Sequence, residues 1–141
     1  NLMLCSQCLR CMYIPEVFYA YRKHDDAITV KPHPQKLHDA FDFSRFCFRL
    51  SFDTKDERMK VFCVNEGIRN FLFDMSVIAK EWTWGEILRS YKIFDLYSLK
   101  KEAIALLGEY QLNKKLYICY LPLPLLSIYY KIKSILRDYI K

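Results

Sequence analysis

The sequence has 141 residues, the length of a single domain, and its 22 Lys and Arg against 16 Asp and Glu give a net charge of +6. Hydrophobic residues make up 52% of the chain, which excludes an intrinsically disordered protein. Three glycines are too few for the turns of a β-sandwich or barrel, and no Walker-type or dinucleotide-binding glycine loop is present. The composition therefore predicts a mainly α protein.

The N-terminal part of the chain carries the only strand signal. Residues 1–12 are predicted to form the end of a helix, and the aromatic and β-branched residues at 17–21 favour a short strand. Residues 22–34 are polar and proline-containing, which is typical of a loop. We therefore expect two parts: a helix, strand and loop over residues 1–33, and a helical bundle over residues 34–141.

The remainder of the chain shows the three- and four-residue spacing of apolar residues that indicates helices. Two Thr-x-x-Glu capping boxes, Thr54–Glu57 and Thr83–Glu86, mark predicted helix starts. The predicted helices cover residues 35–52, the segment from the first box to Trp82, the segment from the second box to about Phe94, residues 99–110, and the segment from about Leu125 to the end.

Six cysteines raise the question of a metal site. Cys5, Cys8 and Cys11 follow one another at every third residue of a predicted helix, and no second Cys-x-x-Cys pair supplies the remaining ligands of a zinc or iron–sulfur centre. The adjacent carboxylates after His24 could hold a cation, but such loop pairs are more often solvated. We therefore predict no metal site in this chain. Since the start lacks the pattern of a secretory leader, we expect reduced thiols in a cytoplasmic protein.

The most specific feature is the segment Ile14-Pro-Glu-Val-Phe-Tyr-Ala-Tyr-Arg-Lys-His-Asp-Asp-Ala-Ile-Thr29. It resembles the end of the catalytic domain of family 2 glycosyltransferases, where a strand similar to "ip-x-v-x-Y-x-Y-R" leads into a loop similar to "x-H-x-x-S-I-T". The matching residues are Pro15, Val17, Tyr19, Tyr21, Arg22, His24, Ile28 and Thr29. Ala27 departs from the serine that is usual in the family, so any role of that hydroxyl is lost.

The resemblance implies the C-terminal part of a bacterial-type enzyme of polysaccharide biosynthesis. Such an enzyme transfers a sugar from a nucleotide-sugar donor to a polysaccharide or lipid-linked acceptor, and the intact enzyme is expected to use Mg²⁺ or Mn²⁺. The family's catalytic acidic pair and its Asp-x-Asp motif would precede Asn1. We therefore expect no catalytic residue in this chain and no activity of the chain alone. Arg22 and His24 would lie on the side of the donor diphosphate or metal, where positive charge stabilises the leaving group.

The C-terminal segment holds nearly all of the excess charge, because residues 111–141 carry six basic side chains and one acidic side chain. On a helical wheel the apolar residues of the last helix cover one face. The basic residues on the other face are candidates for contact with an anionic membrane surface: Lys131, Lys133, Arg137 and Lys141.

Two interpretations of this helix stay open, since its apolar face can lie on a membrane or pack on the bundle. In the first case the protein is peripheral on the inner face of the membrane. The alternative to a transferase is a non-enzymatic helical module that binds a partner or a membrane surface. Residues 1–110 are nearly neutral, which argues against nucleic acid as a partner.

Overall fold

The computed structural model describes residues 34–139, apart from 111 and 113. Their elements are α1 (Pro34–Asp53), α2 (Glu57–Glu81), α3 (Trp84–Ile93), α4 (Leu96–Glu109), a 3₁₀ helix (Lys114–Tyr120) and α5 (Leu123–Tyr139). No strand occurs within this range, and the prediction of a mainly α helical bundle is confirmed. The strand and loop predicted in residues 1–33 lie outside the described residues.

The centre of the bundle is the contact between α1 and α2. Gly67 allows the two helices to approach closely, because a Cβ atom there would lie 2.7 Å from Phe48 Cδ1 and 3.1 Å from Cys47 Cβ. The largest fully buried side chains of the two helices are Phe41, Phe48, Ile68, Phe71, Met75 and Ile78. The apolar spacing that predicted α2 therefore corresponds to its buried face.

The start of α2 differs from its prediction. The N-cap is Asp56, whose carboxylate accepts the backbone N–H groups of Arg58 at 2.8 Å and Met59 at 3.3 Å. The capping box predicted at Thr54–Glu57 is wrong because Asp56 itself supplies the acceptor that the first helical N–H groups need. The Thr54 hydroxyl instead accepts the N–H of Asp56 at 3.4 Å.

Helix α3 is fixed at both ends. The predicted capping box is present at its start: the backbone N–H of Thr83 donates to Glu86 Oε2 at 2.8 Å, and the Thr83 hydroxyl accepts the N–H of Glu86 at 3.4 Å. At its end, the guanidinium of Arg45 on α1 donates to the carbonyl of Phe94. Asp95 then takes a left-handed conformation, with φ of 48°, and the chain turns into α4.

The start of α5 is part of the core. Leu123 and Leu126 are fully buried. The hydroxyl of Tyr91 on α3 lies 3.1 Å from the carbonyl of Leu123, to which it donates, and 2.7 Å from the hydroxyl of Ser127. Since these atoms are buried, the hydrogen bonds fix the position and rotation of α5 relative to α3.

Candidate membrane-binding surface

Among the described residues, helix α5 contacts the bundle through one face. Leu123, Leu126 and Ser127 are buried on this face, and Tyr130 packs against the core beside them. At about 100° per residue, the four positions fall within an arc of about 100° around the helix axis. This arc is the side of α5 that the bundle covers.

The opposite side of α5 is apolar and exposed. Its seven large side chains are between 39% and 85% exposed: Leu125, Ile128, Tyr129, Ile132, Ile135, Leu136 and Tyr139. They fall within an arc of about 120°, almost directly opposite the buried arc. We call this set the outward apolar face. The sequence left open whether these residues pack on the bundle, and the structure shows that the described part of the bundle contacts the other side of the helix.

Lys131 has a role in the bundle. Its ammonium group donates to the carbonyl of Trp82 at 2.9 Å and lies 3.5 Å from the carbonyl of Lys80. These are carbonyls at the C-terminus of α2, where a cation satisfies free acceptors and interacts favourably with the helix dipole. Lys131 therefore holds α5 against the end of α2, and it lies on α5 next to the outward apolar face.

The other basic candidates differ in their surroundings. Lys133 and Arg137 are exposed on α5 and line the space next to α2. Lys133 lies about 40° around the helix axis from Tyr129, at the edge of the outward apolar face, whereas Arg137 lies on the same side of the helix as Tyr130. The ammonium of Lys133 lies 5.7 Å from the centre of the Tyr129 ring, which is within the range of a cation–π contact. Lys141 lies outside the described residues. Lys133 thus borders the outward apolar face, and Arg137 lies on the side of α5 next to α2.

The residues that the resemblance places near a donor substrate, Arg22 and His24, lie outside the described residues. Within the part of the chain that the structure describes, no three His, Cys, Asp or Glu side chains converge as metal ligands.

The described cysteines are buried free thiols: Cys47, Cys63 and Cys119. Burial, with a smaller contribution from Cys63, raises the pKa of Cys47 to about 12, and burial raises the pKa of Cys119 to about 11. Thiols with such pKa values stay protonated at neutral pH and are poor nucleophiles. A structural role in the reduced state, as predicted, agrees with this environment. The three N-terminal cysteines lie outside the described residues.

Asp74 is a buried carboxyl group that the sequence analysis did not single out. It lies on α2, is only 6% exposed, and its Oδ2 atom has no hydrogen-bond partner. Burial raises the pKa of Asp74 from 3.8 to about 7. The signal in the sequence was an acidic residue within the apolar run from Phe71 to Met75. No ion pair among the described residues includes it, so it forms no recognisable site.

In the described part of the chain, no helix combines the length and the apolar character needed to cross a bilayer. No protein-family model matches the chain, and neither a curated protein nor a solved structure matches it.

Proposed function

We propose that this chain is the C-terminal part of a family 2 glycosyltransferase that works at the cytoplasmic surface of a membrane, and that the outward apolar face of α5 attaches it there. The resemblance of residues 14–29 supports the transferase. The outward apolar face is the observation that carries the membrane attachment. The donor would be a nucleotide-sugar and the acceptor a polysaccharide or a lipid-linked glycan. A lipid-linked acceptor would give the attachment a purpose.

The strength of the attachment follows from the side chains involved. Complete burial of a large apolar side chain stabilises by about 1.5–3 kcal/mol, and a side chain that is half-exposed on the free protein gains about 1 kcal/mol on insertion. Lys133 and Arg137 each add about 1 kcal/mol at most near anionic lipids. Tyr129 and Tyr139 have the amphipathic rings that favour the headgroup region. We therefore expect reversible binding that is mainly apolar and only partly sensitive to salt.

Sedimentation with vesicles tests the attachment. The purified chain is mixed with vesicles of phosphatidylcholine and phosphatidylglycerol, and with phosphatidylcholine alone. We expect binding that is stronger to the anionic vesicles. Leu125→Glu and Ile132→Glu place a carboxylate in the outward apolar face, and each should weaken the partition by about tenfold or more, which corresponds to about 1.4 kcal/mol. Both positions are exposed, so the variants should fold.

Leu88→Glu is the matched control, because Leu88 is 56% exposed on α3 and Leu125 is 51% exposed on α5. The control should bind vesicles as the wild type does. Equal weakening by Leu88→Glu and Leu125→Glu would refute a specific membrane-binding face. Failure of the wild type to bind anionic vesicles at low salt would refute the attachment altogether.

The transferase part has a separate test in the residues encoded before Asn1. An acidic pair shortly before Asn1, with an Asp-x-Asp motif further upstream, supports it. A longer reading frame without these motifs favours the alternative, a non-enzymatic helical module attached to a membrane surface. The vesicle result is the same in both cases, so the two parts can fail independently.

A further inference from the structure

A groove lies between α2 and α5, next to the outward apolar face. Its volume is about 620 Å³, within the range of roughly 300–1,000 Å³ that is usual for small-molecule sites. Its apolar lining comes from Phe73 and Val77 on α2 and from Tyr130 and Leu136 on α5. Phe73 is 63% exposed, so most of its ring surface is open to a ligand.

The charged groups that line this groove are all cations: Lys80, Lys133 and Arg137. No carboxylate is among the lining residues that the structure describes. Lys80 pairs with Glu81 at 3.0 Å, but Glu81 is not part of the lining. The groove therefore combines positive charge with an apolar lining, which complements a molecule with one anionic end and one apolar end.

The two serine hydroxyls in the groove are already occupied. The hydroxyl of Ser76 donates to the carbonyl of Phe73 at 2.7 Å, and the hydroxyl of Ser134 donates to the carbonyl of Lys131 at 3.0 Å. Neither hydroxyl has a proton left to donate to a ligand. The N–H groups of Lys80, Lys133 and Arg137 are therefore the main donors that the groove offers a ligand, and these charged donors favour an anionic acceptor over the neutral hydroxyls of a sugar. Charge and apolar contact are the interactions that the groove provides.

We propose that this groove binds a single anionic lipid, with its phosphate near Arg137 and Lys133 and its apolar chain along Phe73 and Val77. Leu136 belongs to both the groove and the outward apolar face. The groove therefore opens beside the surface that contacts the membrane under the proposed function. The supply of the lipid from a bilayer rests on that function. Binding of a monomeric amphiphile does not, and can be measured separately.

Calorimetric titration with decyl phosphate, kept below its micelle concentration, tests the groove directly. We expect saturable binding of one molecule per chain. Inorganic phosphate has the anionic group alone, and decyl maltoside has the same chain with a neutral head. Each should bind about tenfold more weakly or worse, because each lacks one of the two interactions. Equally tight binding of either probe would overturn the assignment to an anionic lipid.

Two substitutions locate the binding. Phe73→Glu removes apolar lining and adds a negative charge, and should weaken decyl phosphate binding by about tenfold or more. Phe62→Glu is the matched control, since Phe62 is 49% exposed on the same helix and outside the groove. It should change the affinity by less than about twofold. Arg137→Gln should weaken binding by several-fold. Equal effects of Phe73→Glu and Phe62→Glu would place the site elsewhere.

The Leu125→Glu variant separates this inference from the proposed function. It should lose vesicle binding and keep decyl phosphate binding within about twofold of the wild type, since Leu125 does not line the groove. If wild-type protein binds vesicles but not decyl phosphate, the groove assignment is wrong and the membrane attachment stands. If it binds decyl phosphate but not vesicles, the groove assignment stands and the attachment is wrong.

Discussion

Replacing Asp74 with Asn should change how the stability of the bundle depends on pH. The buried carboxyl group titrates with a pKa of about 7 in the folded protein, against an ordinary value of 3.8. As the pH rises from about 4 to 7, Asp74 ionises in the unfolded chain while the folded protein keeps its proton. Ionisation then favours the unfolded state, so stability falls across this range and levels off above about pH 8.

The magnitude follows from the size of the pKa shift. One pKa unit corresponds to about 1.36 kcal/mol, so a shift from 3.8 to about 7 sets an upper value of roughly 4 kcal/mol. Local relaxation around a buried carboxylate reduces such values, and we expect roughly 2–4 kcal/mol. Asp74→Asn has nearly the same shape and stays neutral. It should therefore lose this pH dependence and be more stable than the wild type near pH 8.

Urea unfolding followed by circular dichroism, near pH 4 and near pH 8, measures the effect. The difference in the free energy of unfolding between variant and wild type is compared at the two pH values, which cancels any pH-independent cost of the amide. Asp53→Asn, at an exposed position in α1, is the control and should change stability by less than about 0.5 kcal/mol at both pH values. Parallel pH profiles for the wild type and Asp74→Asn would refute the buried, unpaired carboxyl group.

Two further substitutions probe the contacts that hold α1 against α2 and α5 against α3. Gly67→Ala forces a methyl group against the Phe48 ring, and we expect the free energy of unfolding in urea to fall by about 1–3 kcal/mol. This loss outweighs the gain of about 1 kcal/mol that alanine brings in helix propensity. A more stable variant would contradict the close contact. Tyr91→Phe removes the hydroxyl that donates to the Leu123 carbonyl and bonds to the Ser127 hydroxyl, and it should cost about 1–3 kcal/mol in the same assay. An unchanged stability of Tyr91→Phe would show that this bond does not hold α5.

The sequence predicted those features that depend on nearby residues. Helix α2 follows from apolar spacing, for which the sequence predicts an inward stripe from Val61 to Trp82. The members of this stripe between Val64 and Ile78 are buried, whereas Val61 is 36% exposed and Trp82 is partly buried. The capping box at Thr83 also involves only residues within one turn. The start of α2 was misplaced because Thr54 and Asp56 are both suitable N-caps, and the choice depends on backbone geometry that the sequence does not show.

The surface features depended on contacts between helices and were only partly predictable. A wheel begun near Leu125 separated the apolar and basic faces of α5, but it could not show which side meets the bundle. The buried side includes Leu123 and Leu126, at the very start of the helix. The groove could not be predicted, since it needs the relative placement of α2 and α5. Its clearest signal was Phe73, an apolar residue outside the predicted stripe.

The buried residues of α5 all precede residue 128, so packing on the bundle stabilises mainly the first part of this helix. From Ile132 to Tyr139, no side chain that the structure describes is buried. A helical segment of that length is marginal in water by itself, because few of its residues gain stability from packing. Whatever covers the outward apolar face would therefore also stabilise the last two turns of the helix. Part of the contact energy would be spent on ordering these turns, and the measured affinity would report folding of the helix end together with binding.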